Sequence, residues 1–163
     1  MPNADAKPRV DSARVAAAIV AVVLALDQAS KAWAVAELDD GPVSIIGTDV
    51  ELRLSFNSGG AFSLFRGFTP LLAVLAIVIA VVLVRAVRRT DDRWTLIALS
   101  LVLAGAVGNH SDRAFRSPGF LSGHVVDFVK VGSFPTFNVA DSAITVGAVV
   151  LVVLAFLPRA RAQ

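Results

Sequence analysis

Long apolar runs recur four times along the chain, and short polar stretches bound each of them. A helix that crosses the hydrocarbon core of a membrane needs about 20 predominantly apolar residues. Several of the runs are shorter than this, so each predicted helix includes polar residues at one end. We place four transmembrane helices at residues 15–36, 68–87, 94–110 and 139–157.

The two longer connecting segments, residues 37–67 and 111–138, have a different pattern. Val43 to Phe56 and Val125 to Val131 contain β-prone residues in partial alternation, bounded by glycine and proline, which is typical of short strands. No tandem repeat or long linker divides the sequence. We therefore predict an α-helical membrane protein with one domain, residues 1–163, in which four transmembrane helices carry a small extracytoplasmic antiparallel β-sheet.

Composition supports a membrane location. Hydrophobic residues make up 56% of the chain and charged residues only 17%, below the roughly 25% of an average soluble domain. The net charge of +2 does not indicate nucleic-acid binding, because Lys and Arg are spread thinly between apolar runs and form no basic face. The sequence has no cysteine, which excludes disulfides, a thiolate nucleophile and a cysteine-based metal site.

The distribution of basic residues predicts the orientation, because Lys and Arg are retained on the cytoplasmic side of a membrane. They are concentrated in the N-terminal segment, in the short link between the second and third runs, and in the tail: Lys7, Arg9, Arg14, Arg85, Arg88, Arg89, Arg93, Arg159 and Arg161. Both termini are therefore expected in the cytoplasm. The two longer segments then lie outside.

The N-terminal region permits a second interpretation. A basic start, the apolar run Val15 to Leu26 and the small-residue pattern Ala32-Trp33-Ala34 together resemble a cleavable secretory signal. The charged residues Asp27 and Lys31 fit a cleavage region poorly. We favour a retained helix.

Polar residues cluster at the predicted outer ends of three helices. DQASK at 27–31 closes the first helix, GNHSDR at 108–113 closes the third, and FNVADS at 137–142 opens the fourth. Polar and ionisable groups within a membrane are costly and usually face the interior of a bundle. Their common depth predicts a polar site near the outer surface.

Some of the charged residues in this cluster can be explained as ion pairs that stabilise the fold. Asp27 and Lys31 are four residues apart on a helix, in the favourable acid-before-base order, so they can neutralise each other. Arg113 follows Asp112 directly and is the neighbour expected to neutralise it.

Nucleophilic and metal chemistry are weakly supported. Ser30 lies beside Lys31, as in a Ser/Lys nucleophile, but adjacent helical residues point about 100° apart. His110, Ser111 and Asp112 are consecutive and cannot form the spatial relay of a triad. With His124 added, their spacing still matches no strong metal-ligand pattern.

Two aspartates are stronger candidates for catalytic residues than these serines and histidines. Asp127 lies between apolar residues, and Asp141 stands at a helix start, where the positive end of the dipole favours a carboxylate and a capping role is common. If the two approach each other, both cannot ionise easily and one proton would be shared. Such a pair can activate water and polarise a peptide carbonyl. From the residues alone, Asp141 is either a cap or a catalyst.

An ordered set of five motifs resembles the lipoprotein signal peptidase family, also called signal peptidase II. The motifs are DQASK (27–31), FNSGGAF (56–62), GNHSDR (108–113), VVDF (125–128) and FNVADS (137–142), and the match spans residues 27–147. Gly60 stands where the family usually has alanine, and His110-Ser111 replaces a more apolar pair. Each motif is weak alone, but five in the family's order are specific.

The resemblance implies an aspartic endopeptidase of the bacterial inner or plasma membrane that uses no cofactor and no metal. It makes Asp127 and Asp141 the catalytic pair. The matching supporting or substrate-contacting positions are Asp27, Lys31, Asn57, Gly59, Asn109, Asp112, Arg113, Asn138 and Ala140. The implied substrate is a prolipoprotein whose lipobox cysteine carries a diacylglyceryl group, and cleavage occurs on the amino side of that cysteine. The implied fold has four transmembrane helices, a small extracytoplasmic sheet and a short helix.

Two other classes of function stay open from the residues alone. A proton-coupled transporter would also place acids within its helices, and a structural membrane subunit would use them to join helices. Neither would cleave a peptide. The expected partners are the signal peptides of diacylglyceryl-modified prolipoproteins and membrane lipids, with no nucleic acid, and we expect a monomer with its site near the outer face.

Overall fold

The structure is a computed structural model that describes residues 12–58 and 69–157. Within these residues the elements follow in the order α1 (Ser12–Glu37), β1 (Val43–Ile46), β2 (Val50–Asn57), α2 (Thr69–Arg89), α3 (Arg93–Phe115), β3 (Val125–Val131) and α4 (Val139–Phe156).

Helices α1, α3 and α4 are long and apolar enough to cross a membrane, and they are the three that meet this criterion among the described residues. Their outward faces carry exposed apolar side chains, such as Val22, which is 58% exposed, and Val149, which is 56% exposed. A lipid environment accounts for such exposure. Helix α2 has 21 residues.

Helix α3 is longer than the sequence pattern predicts. It was expected to end near residue 110, but it continues to Phe115, so Asp112 and Arg113 lie in its last turns and not in an outer segment. Polar residues remain in the helix there because their partners are inside the protein. At its other end, the Asp92 side chain caps the helix by accepting a 2.7 Å hydrogen bond from the Thr95 N–H.

The three strands form an antiparallel sheet in the order β1-β2-β3, as the sequence predicts. The β-prone stretch from Val43 to Phe56 is folded into a hairpin whose turn contains Gly47 at φ +52°, a conformation that favours glycine. Strand β3 has the predicted bounds, and its Asp127 lies opposite Ser55 of β2. The described residues contain no separate short helix between these elements.

Close packing of α3 on α4 brings the polar ends of these helices together. A Cβ on Gly105 would collide with the carbonyl oxygen of Ala140, and one on Gly147 would lie 2.6 Å from the carbonyl oxygen of Ala98. Small residues let the backbones of membrane helices approach in this way. The polar end of α3 therefore lies directly against the first turn of α4.

The sheet is attached to the C-terminal end of α1. Ala34 of α1 and Leu38, which follows the helix, are buried against Phe128 of β3, and the Trp33 ring meets the Phe128 ring edge to face at 6.4 Å between centroids. Because Phe128 follows Asp127, this contact holds β3 so that Asp127 lies over the polar ends of the helices.

Candidate active site

A buried ammonium group lies at the base of the site. Lys31 is fully buried, and its Nζ lies 2.9 Å from Asp27 Oδ2, 2.9 Å from Asp112 Oδ2 and 3.0 Å from Asn109 Oδ1. Three acceptors match the three protons of the ammonium group. The predicted pair of Asp27 and Lys31 is confirmed, and Lys31 also joins α1 to α3.

Asp112 has a different partner from the one expected. Its carboxylate pairs with Lys31 and with Arg116, whose Nε lies 2.8 Å from Asp112 Oδ1, and it accepts the Val126 N–H at 3.2 Å. The expectation that Arg113 neutralises Asp112 is wrong. Adjacent helical residues diverge by about 100°, whereas residues four apart share a face.

Asp27 connects α1 to the first turn of α4. Its Oδ1 accepts the Ala140 N–H at 2.9 Å, so the carboxylate satisfies a backbone donor that the start of a helix leaves unpaired. Gly108 makes this approach possible, because a Cβ there would lie 2.7 Å from Asp27 Oδ2. The predicted supporting residue Ala140 therefore acts through its backbone, while its side chain is fully buried.

Asp127 is almost completely enclosed, with 3% of its surface exposed. Its Oδ1 accepts from Asn138 Nδ2 at 2.7 Å and its Oδ2 accepts from Asn57 Nδ2 at 3.0 Å. Burial raises the pKa of Asp127 to about 6, the hydrogen bond from Asn57 opposes this rise, and the charge of Asp141 adds to it. The Asp127 carboxyl therefore holds a proton more readily than an ordinary aspartate.

Asp141 is a helix cap, as one of the two interpretations predicted. Asn138 is the N-cap of α4 and accepts the Asp141 N–H on its Oδ1 at 2.9 Å, while Asp141 Oδ2 accepts the Asn138 N–H at 3.3 Å. This reciprocal arrangement is a capping box. The other carboxylate oxygen of Asp141 faces α3 and accepts from Asn109 Nδ2 at 2.7 Å.

Two asparagines connect the two aspartates. The Nδ2 group of Asn138 donates to Asp127 and also lies 3.1 Å from Asn109 Oδ1, and Asn109 in turn donates to Asp141. Asn109 Oδ1 also accepts from Lys31. The polar groups that the sequence placed at one depth thus form one continuous hydrogen-bond network.

Arg113 has unused hydrogen-bonding capacity within the described residues. Its Nη1 is buried and has no hydrogen-bond partner there. The charges of Asp127, Asp112 and Asp141 all act on its guanidinium, so Arg113 lies within the electrostatic field of the aspartate pair. A buried donor without a partner is costly unless a ligand or water satisfies it. Gly59, the remaining predicted supporting residue, lies outside the described residues.

The residues considered for nucleophilic or metal chemistry have structural roles or line another groove. The Ser30 hydroxyl donates to the Asp27 carbonyl at 2.9 Å, and the Ser111 hydroxyl donates to the Val107 carbonyl at 2.8 Å. His110 lines a groove of about 690 Å³ between α2 and α3. The described residues contain no group of three or more His, Cys, Asp and Glu side chains that could hold a metal ion.

Sequence reasoning missed three residues of the site. Arg116 pairs with Asp112, Gln28 donates from Nε2 to Asp27 at 3.0 Å and to Asp112 at 3.3 Å, and Gly108 admits the Asp27 carboxylate. The four-residue spacing of Asp112 and Arg116 was a readable signal for the first. Gln28 and Gly108 lay within quoted motifs, but no spacing rule distinguished them from their neighbours.

An open groove of about 520 Å³ has Asp141 in its lining. It lies between the loop after β3 and the first turns of α4, and its lining residues are Asn57, Phe134, Pro135, Thr136, Phe137, Asp141, Ser142, Thr145 and Val146. The arrangement can bring an apolar ligand to a pair of carboxyl groups of which one is readily protonated. Such a pair can activate water and polarise a carbonyl group.

Known proteins resemble this chain along most of its length. A family profile described as signal peptidase (SPase) II matches residues 19–157. A lipoprotein signal peptidase from Rhodococcus jostii is 50% identical over 140 residues, which cover 85% of this chain and 71% of that protein. One from Mycobacterium tuberculosis is 46% identical over 154 residues, which cover 94% of this chain and 75% of that protein.

The fold is also similar to that of a solved membrane protein. A structure described as a bacterial membrane enzyme, determined by the in meso method, superimposes with a TM-score of 0.78 at 27% sequence identity and covers 87% of this chain and 92% of its own. The sequence match, the fold and the linked aspartates agree. The chain belongs to the signal peptidase II family, whose members are aspartic peptidases.

Proposed function

We propose that Asp127 and Asp141 are the catalytic pair of a peptidase that removes signal peptides from diacylglyceryl-modified prolipoproteins, cutting on the amino side of the modified cysteine. Family membership supports signal-peptide removal from prolipoproteins and sets aside the transporter and structural-subunit alternatives. The observation that carries the proposal is the linkage of two carboxyl groups from β3 and α4 through Asn138 and Asn109.

The reaction needs one ionised and one protonated carboxyl group. The ionised aspartate takes a proton from water, and the hydroxide adds to the scissile carbonyl carbon while the protonated aspartate donates a hydrogen bond to the carbonyl oxygen. The tetrahedral intermediate then collapses, the C–N bond breaks, and the leaving amine takes up the proton that the first aspartate had taken from water, which returns that aspartate to its ionised form. We assign the protonated role to Asp127, because burial raises the pKa of that carboxyl group to about 6.

Other residues hold the pair and the substrate. Lys31, Asp27 and Asp112 fix the ends of α1 and α3 against the start of α4, so the carboxyl groups are preorganised before substrate arrives. Arg113 Nη1 lacks a partner among the described residues and is suited to bind a carbonyl oxygen of the substrate backbone. Asn57 and Asn138 orient Asp127.

We further propose that α2 completes a four-span bundle in which both termini are cytoplasmic and residues 1–163 form one domain. Its apolar length and the exposed Val78 and Val82 suit a lipid-facing helix. Helix α1 is retained in this arrangement, since a cut near Ala34 would remove Asp27 and Lys31 from the site. The active site then lies near the outer face of a bacterial inner membrane, and the chain acts as a monomer in contact with membrane lipids.

Cleavage by the purified protein tests the catalytic assignment. Wild type is incubated in detergent with a diacylglyceryl-modified prolipoprotein, and Asp127→Asn and Asp141→Asn are compared with Asp40→Asn, which changes an exposed turn residue. We expect each site variant to lose about 10³-fold in rate and Asp40→Asn to retain activity. Near-normal turnover by either site variant would contradict the assignment of the pair.

A further inference from the structure

The groove between α2 and α3 is apolar along most of its length. Its wall on α2 includes Ile77, Val81 and Val84, which are exposed and recur at helical spacing on one face. The facing wall on α3 includes Leu103 and Val107. Neither aspartate of the proposed catalytic pair lines this groove, so it is a feature separate from the candidate active site.

Two arginines lie at one end of this groove. Arg85 and Arg88 are three residues apart on the lining face of α2, close to the end of that helix, and both are exposed. Neither forms an ion pair with a carboxylate of the described residues. The acidic residues nearest in sequence are Asp91 and Asp92, and the Asp92 side chain caps α3. The groove therefore joins a long apolar surface to two guanidinium groups that lack a counter-ion there.

The length of the groove matches one leaflet of a bilayer. Ile77 and Arg88 are about 16 Å apart along the axis of α2, at 1.5 Å per residue. The hydrocarbon core of a membrane is about 30 Å thick, so the acyl chains of one leaflet span roughly 15 Å. The arginines lie beside the short basic link to α3, which is the end expected in the cytoplasm. An acyl chain along α2 therefore has its head group at Arg85 and Arg88.

Charge decides between the candidate occupants. A signal-peptide helix begins with a basic segment on the cytoplasmic side, and a second copy of this chain in the same orientation brings its own basic link to the same depth. Both place positive charge against Arg85 and Arg88, and like charges repel. A phospholipid with an anionic head group supplies the missing counter-charge, and its phosphate oxygens can accept bidentate hydrogen bonds from guanidinium groups. Basic pockets between membrane helices on the cytoplasmic side bind such head groups.

From these observations we propose that the groove between α2 and α3 binds an anionic phospholipid of the cytoplasmic leaflet, with its phosphate at Arg85 and Arg88 and an acyl chain along Ile77, Val81 and Val84. The choice of leaflet rests on the proposed orientation. The site itself does not depend on the proposed peptidase activity.

The bound lipid has a structural role in the bundle. At the basic end of the groove, Val87 of α2 is buried with Ala16 of α1 and Leu96 of α3, so the three helices are in direct contact there. Toward the start of α2 the space beside α3 is open instead. An acyl chain in this space adds apolar contacts to both helices, and the lipid thereby holds α2 against α3.

Matched double variants test the head-group site. Purified protein in a neutral detergent is delipidated and titrated with dioleoyl phosphatidylglycerol or dioleoyl phosphatidylcholine, and bound lipid is measured by native mass spectrometry. Arg85→Gln/Arg88→Gln removes the proposed anion-binding pair. Arg89→Gln/Arg93→Gln removes the same charge from neighbouring exposed residues that do not line the groove.

We expect the first double variant to bind phosphatidylglycerol about 25-fold more weakly than wild type, which is about fivefold for each arginine. The second should change the affinity much less, and phosphatidylcholine should bind weakly to all three proteins. Equal weakening in both double variants would show that the lipid responds only to the net charge of the link, and equal affinity of wild type for the two lipids would show that no head group is recognised. Either result overturns the proposal.

A matched valine pair tests the apolar part of the site. Val81→Trp fills the groove, and Val22→Trp places the same side chain at an exposed valine of α1 that does not line it. We expect Val81→Trp to weaken phosphatidylglycerol binding about tenfold, equivalent to lost contact with roughly two methylene groups. Val22→Trp should bind as wild type does. Unchanged binding by Val81→Trp would mean that the acyl chain lies elsewhere and would contradict the groove assignment.

Competition identifies the occupant. Excess inorganic phosphate, or a synthetic signal peptide without a lipid group, is added to protein loaded with phosphatidylglycerol. We expect neither to release the lipid. Release by phosphate would reduce the site to one for a simple anion, and release by the peptide would assign the groove to the signal-peptide helix, so each would overturn the proposal. Because these measurements need no turnover, a protein that binds the lipid but never cleaves would contradict the proposed function and leave this site in place.

Discussion

The side-chain amide of Asn138 donates a 2.7 Å hydrogen bond to Asp127, while the side-chain oxygen of the same residue caps the helix that carries Asp141. One residue thereby couples the start of α4 to the buried carboxyl group of β3. Helix capping and positioning of the proposed catalytic pair therefore depend on one side chain, and substitutions of Asn138 can test the two roles separately.

Asn138→Ser should separate the two roles. Serine is also a good N-cap, so the helix start is retained, but the amide that orients Asp127 is lost. We expect the cleavage rate to fall about 10²-fold, with a loss of stability of about 1–3 kcal/mol because the buried acceptors of the Asn138 amide lose their donor. Asn138→Ala should show the same loss of rate and an additional destabilisation of about 1 kcal/mol, measured by thermal unfolding in detergent. Full activity in Asn138→Ser would show that the amide does not position the pair.

The pKa of Asp127 should respond with opposite signs to two substitutions. Asn57→Ala removes a hydrogen bond that lowers the pKa of Asp127, so the pKa should rise above about 6. Asp141→Asn removes a charge that raises it, so the pKa should fall. The carboxyl stretch of Asp127 in isotope-edited infrared titrations measures both shifts. Shifts of equal sign would contradict the electrostatic description of the pair.

The same pKa predicts the pH dependence of catalysis. Because the folded-state value of about 6 lies above the ordinary 3.8, Asp127 keeps its proton up to about pH 6 and loses it above. Its contribution to stability is present below about pH 4 and is lost as the pH rises through 6. If Asp127 is the protonated partner, kcat/KM should decline above about pH 6, and Asn57→Ala should move this decline to higher pH.

Removing Lys31 should be strongly destabilising. Lys31→Met leaves Asp27 and Asp112 buried without their shared ammonium group, and breaking a buried pair costs about 3–5 kcal/mol. Arg53→Met is the control, because Arg53 pairs with Glu51 at the surface with half of its side chain exposed. A surface pair contributes about 1 kcal/mol or less. Equal loss of thermal stability in both variants would contradict the buried role of Lys31.

Gly108 should tolerate no side chain. Gly108→Ala places a Cβ 2.7 Å from Asp27 Oδ2, which must move and weaken its bond to the Ala140 N–H. We expect a loss of about 1–3 kcal/mol in stability together with reduced cleavage. Gly119→Ala is the matched control, since nothing lies within 4 Å of its added Cβ. Similar behaviour of the two variants would mean that α1 and α3 are not in close contact at Gly108.

Orientation in the membrane is tested by a reporter fused after Arg89. The basic link between α2 and α3 predicts a cytoplasmic location for the fusion point. An alkaline phosphatase reporter should therefore be inactive there, and a cytoplasmic fluorescent reporter should be active. An external location would overturn the proposed orientation.

The helices and strands could be predicted from the sequence where apolar and polar residues form a clear local pattern. The polar ends of three apolar runs were placed at one depth, and in the structure they form one network through Lys31, Asn109 and Asn138. The strand Val125–Val131 has its predicted bounds because its flanking glycines and alternation are local signals. The extension of α3 to Phe115 was missed, since polar residues usually end an apolar run.

Partner choice within the site was harder to predict. Asp112 was assigned to its neighbour Arg113, but the helix turns Arg113 toward the aspartate pair and brings Arg116 onto the face of Asp112. The contact of Asp27 with the Ala140 N–H joins residues 113 positions apart, and it depends on the packing of three helices. No local pattern encodes such a contact.

The charged pairs have a consequence for how the protein is made. Asp27 and Lys31 are an i,i+4 pair within α1, and Asp112 in the last turns of α3 pairs with Arg116, the C-cap residue of that helix. A single unpaired charge at the centre of a bilayer costs about 2.5–3.5 kcal/mol by insertion scales. Each helix carries its own counter-ion, so α1 can leave the translocon as an electrically balanced segment before α3 has been synthesised. The Lys31–Asp112 contact then forms by lateral assembly, between two charges that each already have a counter-ion on their own segment.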